Sequence, residues 1–336
     1  MYNGIIVVNK DSGMSSHDVV YQLRRMTGQK KIGHMGTLDP QARGVLPVCM
    51  GSATRLSDLF LKADKQYRAV LRLGVVTDTQ DMTGKVLEEN EAIPDGDTLR
   101  KVISSFTGEI LQVPPMYSAV KHQGKKLYQL ARKGVEIERE PRKVFIREII
   151  IEKFEGPLVT MLVTCSKGTY IRTLCADIGE KAGCGGCMES LVRTRSGPFR
   201  IEGSMTLSEI EGPASGQVNP ADPAGVKERI RLAMLTSDLF FRTLPGYCTV
   251  PEDDYLLWNG NPLLIRDMEK MDESTEADGG QTPADGFDPQ LIELPDGLDP
   301  SGAIRMYDSA GTFWGVYEKA ARKGLYRPWK MFPPVL

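Results

Sequence analysis

Fifteen residues, Gly33-His34-Met35-Gly36-Thr37-Leu38-Asp39-Pro40-Gln41-Ala42-Arg43-Gly44-Val45-Leu46-Pro47, join one carboxylate to glycines and prolines in a pattern suited to chemistry. Glycine at 33, 36 and 44 permits backbone angles and close approaches that a Cβ would block. Pro40 fixes its own φ and keeps Asp39 out of the helical region, so Asp39 sits on an extended or turning segment. Behind it, Val45–Met50 reads as a short buried strand. A carboxylate on such a loop, backed by rigid structure, is placed to act as a nucleophile or proton acceptor. The same residues also make an ordinary Asp-Pro turn in which Asp39 only caps backbone N–H groups. On these residues alone both readings stand.

Three further stretches carry reactive or ligand-binding side chains. In Ser166-Lys167-Gly168-Thr169-Tyr170-Ile171-Arg172-Thr173, Arg172 falls on the first turn of a helix. A cation there opposes the helix dipole, so a carboxylate partner is expected elsewhere in the chain. Gln66–Gly74 alternates like a strand, with Tyr67, Ala69, Leu71 and Leu73 on one face. Lys121–Lys133 is basic and has Tyr117, His122 and Tyr128 in or beside it, which suits a phosphate track with stacking groups; a solvated helix face competes. Asp78 and Asp81 read as members of a polar capping turn. The spacing of Cys184 and Cys187 is metal-like, but no second pair or histidine cluster completes a tetrahedral site.

The elements that position these groups follow from periodicity and caps. Gly4–Lys10 reads as a buried strand. Ser15 and Asp18 form a capping box for a helix ending at Gly28. Asp97 is the expected N-cap of a helix through Phe106. Strands are expected over 143–154 and 158–165 and around Leu191, and a helix over 226–241. Short β-like runs follow the composition break at Leu244-Pro245-Gly246.

At 336 residues the chain is long enough for two domains. No stretch approaches a membrane span, and the N-terminus has no secretory pattern, so a cytoplasmic protein is expected. The formal charge of −2 conceals an asymmetry: 267–299 carries eleven acidic residues and one lysine, and the rest of the chain is therefore at +8. A basic body of this kind suits a polyanion such as RNA. The acidic, Gly/Pro-rich 267–302 segment is expected to be a flexible insertion.

Taken in order, Asn9-Lys10, Gly33–Pro47, Asp64–Arg68, Leu73-Gly74 with Thr77–Asp81, Pro114–Ala119 and Ser166–Thr173 resemble the TruB family of pseudouridine synthases, the bacterial tRNA pseudouridine-55 synthases. The resemblance covers about residues 4–195, and Leu257–Asn261 with Ala303–Tyr317 is similar to the family's small RNA-binding domain. It implies an α+β fold: a catalytic domain over 1–243 with a mixed, mainly antiparallel sheet flanked by helices, and a PUA-like β-barrel over 244–336. Within the first, about 105–150 is an RNA-binding insertion. It implies isomerisation of uridine in the tRNA T loop after base eversion, with no cofactor, metal, membrane or protein partner, by a monomer. It makes Asp39, Tyr67 and Arg172 catalytic: Asp39 the essential carboxylate, Tyr67 stacked on the base and acting near its C5 proton, Arg172 paired with Asp39. His34, Leu191, Lys10, Lys30, Lys31, Lys121, Lys126 and Tyr170 are expected to bind substrate. Whether Asp39 attacks C1′ or C6 or removes the C2′ proton stays open. Asp11, Met35 and Arg43 depart from the family pattern.

Overall fold

The computed structural model describes residues 1–60, 62–118, 120–122, 124–131, 133–212, 223–271 and 286–334. They fall into two compact units, one of Met1–Pro40, Gly44–Leu61 and Gly197–Leu336, the other of Gln41–Arg43 and Lys62–Ser196.

In the first unit, Gly4–Lys10 runs antiparallel to Arg43–Met50, from Gly4 opposite Met50 to Lys10 opposite Gly44. Ile32–His34 also pairs with Arg43–Met50, placing His34 opposite Val48. Helix Ser16–Thr27 begins at the expected capping box and ends at Gly28 in the left-handed region, φ 68°. Its inward side chains are Val19, Val20 and Leu23, spaced as one face of an α-helix.

The C-terminal part of this unit is a six-stranded, barrel-like sheet of the expected PUA-like kind, in the order Leu263–Leu264, Leu325–Met331, Phe313–Lys319, Ala303–Tyr307, Gly246–Thr249, Met268–Lys270. Its own core joins Leu257, Leu263, Met268, Ile304, Met306, Tyr317 and Tyr326. A second core passes without a break from Ile5, Val45 and Phe60 through Phe199, Phe240 and Leu244 to Ala303 and Val316. This second core runs across the composition break at 244–246.

The flexible insertion expected over 267–302 is corrected at both ends. Met268–Lys270 is a strand paired with Gly246–Thr249. Phe287 is buried, with ring centroids 5.9 Å from Phe199 and 5.5 Å from Phe240. Leu298 is buried in the same core, and Ile292 and Leu294 pack against it, so apolar side chains anchor this end of an otherwise acidic stretch. Residues 272–285 lie outside the described residues. The helix expected over 226–241 is also shorter, Pro223–Leu232, and Ser237–Phe241 is a separate 3₁₀ turn.

In the second unit, consecutive strands pair antiparallel in the order Gly186–Ser196, Lys65–Leu73, Leu158–Cys165, Arg142–Glu155, Gly108–Gln112. Helix Ile171–Lys181 packs on this sheet through Ile171, Leu174, Cys175 and Ile178. Helix Gly96–Ser104 is capped by Asp95, which accepts from the Asp97 and Thr98 N–H groups, and not by Asp97 as expected. Asp97 instead lies inside the first turn, where its charge favours the dipole.

Candidate active site

In the first unit the Asp39 loop is pinned on both flanks. Ser16 accepts from the Leu38 N–H at 2.8 Å, and its hydroxyl donates to the Leu38 carbonyl. Beyond Asp39, the Pro40 carbonyl accepts from the Gly13 N–H at 2.9 Å and from Lys10 Nζ at 3.2 Å. Lys10 Nζ also donates to the carbonyls of Asp11 and Met14, both at 2.8 Å. Gly36 turns the chain at φ 98°, a conformation that suits glycine. Asp39 itself is partly exposed. A pinned loop with a reachable carboxylate is pre-organised for chemistry.

The Lys10 side chain is 0 % exposed, and its ammonium donates to three backbone carbonyls, so it braces the loop. Two departures from the family pattern also find their places. Met35 is buried in the first unit's core, and the Asp11 carbonyl takes one of the Lys10 bonds. Arg43 is exposed at the start of its strand, Lys30 and Lys31 are exposed ahead of Ile32–His34, and His34 is half-buried.

In the second unit, Tyr67 lies on the Lys65–Leu73 strand directly opposite Arg193, and Ala69 lies opposite Leu191. Tyr67 is half-buried and Leu191 buried. Directly paired residues share a face, so Tyr67 and Leu191 form one surface. Across the strand, Arg68 and Arg72 face the other way and pair with Glu152 and Glu189.

Arg172 has the carboxylate neighbour that its helix position called for. Asp81 Oδ2 lies 3.5 Å from Arg172 Nη1, with side-chain exposures of 11 % and 6 %. Asp81 is also the turn residue expected of it, since its Oδ1 accepts from the Thr83 N–H and the Thr79 hydroxyl. Neighbouring Gln80 adopts φ 64°, and its side-chain oxygen accepts from the Thr173 hydroxyl at 2.8 Å. A left-handed non-glycine residue costs free energy that its surroundings must offset. Here Gln80 is tied to the helix at Thr173 and to the Met188 N–H on the sheet. Sequence reading placed Asp81 in the turn but missed its second oxygen.

Tyr170 precedes the helix, and its N–H and carbonyl are both bound by the side-chain amide of Gln112. Gln112 is a second missed residue; a glutamine entering a proline-rich segment gives no local signal. The basic stretch is not one continuous helix. Lys121–His122 and Lys125–Lys126 form a hairpin with Lys121 opposite Lys126, followed by the short helix Leu127–Ala131. Among the described residues no group of three or more His, Cys, Asp or Glu could hold a metal ion.

Two family models match consecutive parts of the chain: the TruB family pseudouridylate synthase N-terminal domain over residues 24–171, and the tRNA pseudouridylate synthase B C-terminal domain over 172–217. A tRNA pseudouridine synthase B of Lachnoclostridium phytofermentans is 42 % identical, covering 98 % of this chain and 99 % of its own. One of Clostridium tetani is 49 % identical over 87 % of this chain and 99 % of its own. Among solved structures, a chain of a Cbf5-Nop10-Gar1 complex aligns with TM-score 0.63 at 24 % identity, covering 98 % of this chain and 85 % of its own. That likeness concerns the fold.

Proposed function

The chain belongs to the TruB family of pseudouridine synthases, and from that premise we propose that it isomerises uridine 55 in the T loop of tRNA to pseudouridine. The N1–C1′ bond breaks, the uracil turns, and a C5–C1′ bond forms. C5 loses its hydrogen and N1 gains one, so the reaction is redox-neutral and needs no cofactor. The observation that carries the reading is the clamped Asp39 loop in a chain whose whole length aligns with tRNA pseudouridine synthases.

In this reading Asp39 is the essential carboxylate and Arg172 acts with it in catalysis. Asp81 sets the place of the Arg172 guanidinium. Tyr67 and Leu191 receive the uracil once it has left its stack, which an enzyme acting on a base in folded RNA requires. Tyr67 also acts at C5. His34 and Tyr170 border the RNA, while Lys30, Lys31 and the hairpin lysines 121 and 126 hold phosphates. The enzyme acts as a cytoplasmic monomer on the T arm, without a protein partner. Among the described residues no helix is long and apolar enough to cross a membrane.

The test is an unmodified tRNA transcript incubated with wild type and with Asp39→Asn, followed by position-resolved mapping of pseudouridine. The variant should convert none of uridine 55 yet bind tRNA within about tenfold of wild type, because phosphate contacts dominate affinity. Conversion by the variant, or joint loss of binding and activity in a folded protein, would overturn the assignment.

A further inference from the structure

Helix Ser16–Thr27 starts at the Asp39 loop, because its first residue is the serine bonded to both backbone groups of Leu38. His17 and Asp39 each lie one residue from that bonded pair. The buried side chains Ser16, Val19, Val20 and Leu23 take up one side of the helix. The other side is His17, Asp18, Tyr21, Arg24 and Arg25, all exposed, at the spacing of a continuous stripe. Along the axis Tyr21 lies about 6 Å beyond His17, and Arg25 about 6 Å beyond Tyr21. Towards the far end Arg24 Nη2 donates to the Ile32 carbonyl at 2.9 Å, which sets its guanidinium against the segment carrying Lys30 and Lys31. The stripe therefore runs from the Asp39 loop to the two lysines assigned above to phosphates.

A single exposed ring on a helix is ordinary; the setting of this one is not. Tyr21 is 63 % exposed, and two arginines stand one turn further on. The stripe's one acid, Asp18, is spent on the capping box, where its Oδ2 accepts from the Ser15 N–H and the Ser15 hydroxyl, both at 2.7 Å. Arg25 meets Glu211 at 3.3 Å, with side-chain exposures of 63 % and 50 %. A surface pair of that kind contributes little, so a phosphate can take the place of Glu211. What remains outward is positive charge around an aromatic face. That combination holds unpaired RNA, the ring stacking on a base and the guanidinium taking the backbone.

We propose that the outer face of helix Ser16–Thr27 is a docking strip for the tRNA T arm, on which Tyr21 stacks on an unpaired base near the everted uridine and Arg25 holds a backbone phosphate. The inference rests on the uridine 55 reading given above, since it needs the T loop at Asp39. The whole helix is only about 18 Å long, so a strand leaving the site along the stripe is still within that arm. Neither side chain takes part in the chemistry. Both hold the nucleotides beside the target while the target itself is swung out.

The test compares full-length Tyr21→Ala, Tyr21→Phe and Arg25→Gln with wild type, on an unmodified tRNA transcript and on its isolated T-arm hairpin. Tyr21→Ala should bind both RNAs about tenfold more weakly, because the stacked base loses its platform. Its single-turnover rate at saturating enzyme should stay within about twofold of wild type. Tyr21→Phe keeps the ring face and should bind within about twofold of wild type. Arg25→Gln should reduce the slope of log affinity against log salt by about one. Both side chains are exposed, so melting temperatures should stay within about 2 °C of wild type. Wild-type affinity in Tyr21→Ala, a defect confined to the full transcript, or an unchanged salt slope in Arg25→Gln overturns the inference. These binding measurements do not depend on where pseudouridine forms. Failure of the wild-type protein to modify position 55 instead overturns the reading on which the inference rests.

Discussion

Replacing Asp81 by asparagine separates its two oxygens' duties. Oδ1 serves the turn through the Thr83 N–H at 3.0 Å and the Thr79 hydroxyl at 2.8 Å, while Oδ2 faces Arg172 at 3.5 Å. Asparagine has one acceptor and one donor group. If its oxygen keeps the turn, its NH₂ confronts the guanidinium; if it flips, the turn loses its acceptor. Removing one partner of a buried ion pair costs about 3–5 kcal/mol. The 3.5 Å separation is long for a charged contact, which argues for the lower end, about 3 kcal/mol. For a unit of this size that lowers the melting temperature by about 10 °C. Because the same contact sets the Arg172 guanidinium, single-turnover conversion of tRNA should fall about a hundredfold, or about 2.7 kcal/mol in barrier height. Asp78→Asn is the control: Asp78 is exposed on the same turn and accepts only from the Lys85 N–H at 2.8 Å, so about 1 kcal/mol or less is expected. An Asp81→Asn protein that melts within 2 °C of wild type and turns over within threefold would refute the reasoning.

Three other substitutions probe separate parts of the argument. Lys10→Met removes the buried donor of the Asp11 and Met14 carbonyls and one of the two donors of the Pro40 carbonyl, so denaturant titration should show a loss of about 2–3 kcal/mol, with slower conversion as the Asp39 loop loosens. Burial, with Glu180 nearby, pushes the Asp177 carboxyl up to about 6; its penalty is absent below about pH 4, grows as pH rises and is complete above 6. Asp177→Asn should therefore stabilise the protein at pH 7.5 but not at pH 4, by about 1 kcal/mol once its partial exposure is discounted, and an equal gain at both pH values would contradict that origin. Phe287→Ala empties the ring site against Phe199 and Phe240 and should cost about 3 kcal/mol in thermal or chemical unfolding, whereas a free-hanging insertion would lose nothing.

What could be read in advance tracks how local each signal is. The Ser15/Asp18 capping box, the Gly28 stop and the period-2 strand through Tyr67 depend on neighbours in sequence, and all three are found. The barrel strand Leu325–Met331 was not foreseen, because Pro328 and two cations, Arg327 and Lys330, interrupt its pattern; Pro328 sits opposite Tyr317, where the register slips, so the ladder loses little by its missing N–H. Phe287 was hidden by the acidic residues around it. The Asp39 loop was legible as a loop, but its clamps come from Lys10, Gly13 and Ser16, which no spacing rule links to it. Asp81 shows the limit most clearly: a turn has use for one carboxylate oxygen, and nothing in five residues of sequence says where the other one points.

Gln112 stands at the gateway of the basic insertion, and its side chain imitates a strand neighbour for the residue that launches the Arg172 helix. The segment leaving the sheet there and the start of that helix are thus fastened at a single amide. A shift of the segment that follows Gln112 would therefore reach the start of the Arg172 helix through that amide.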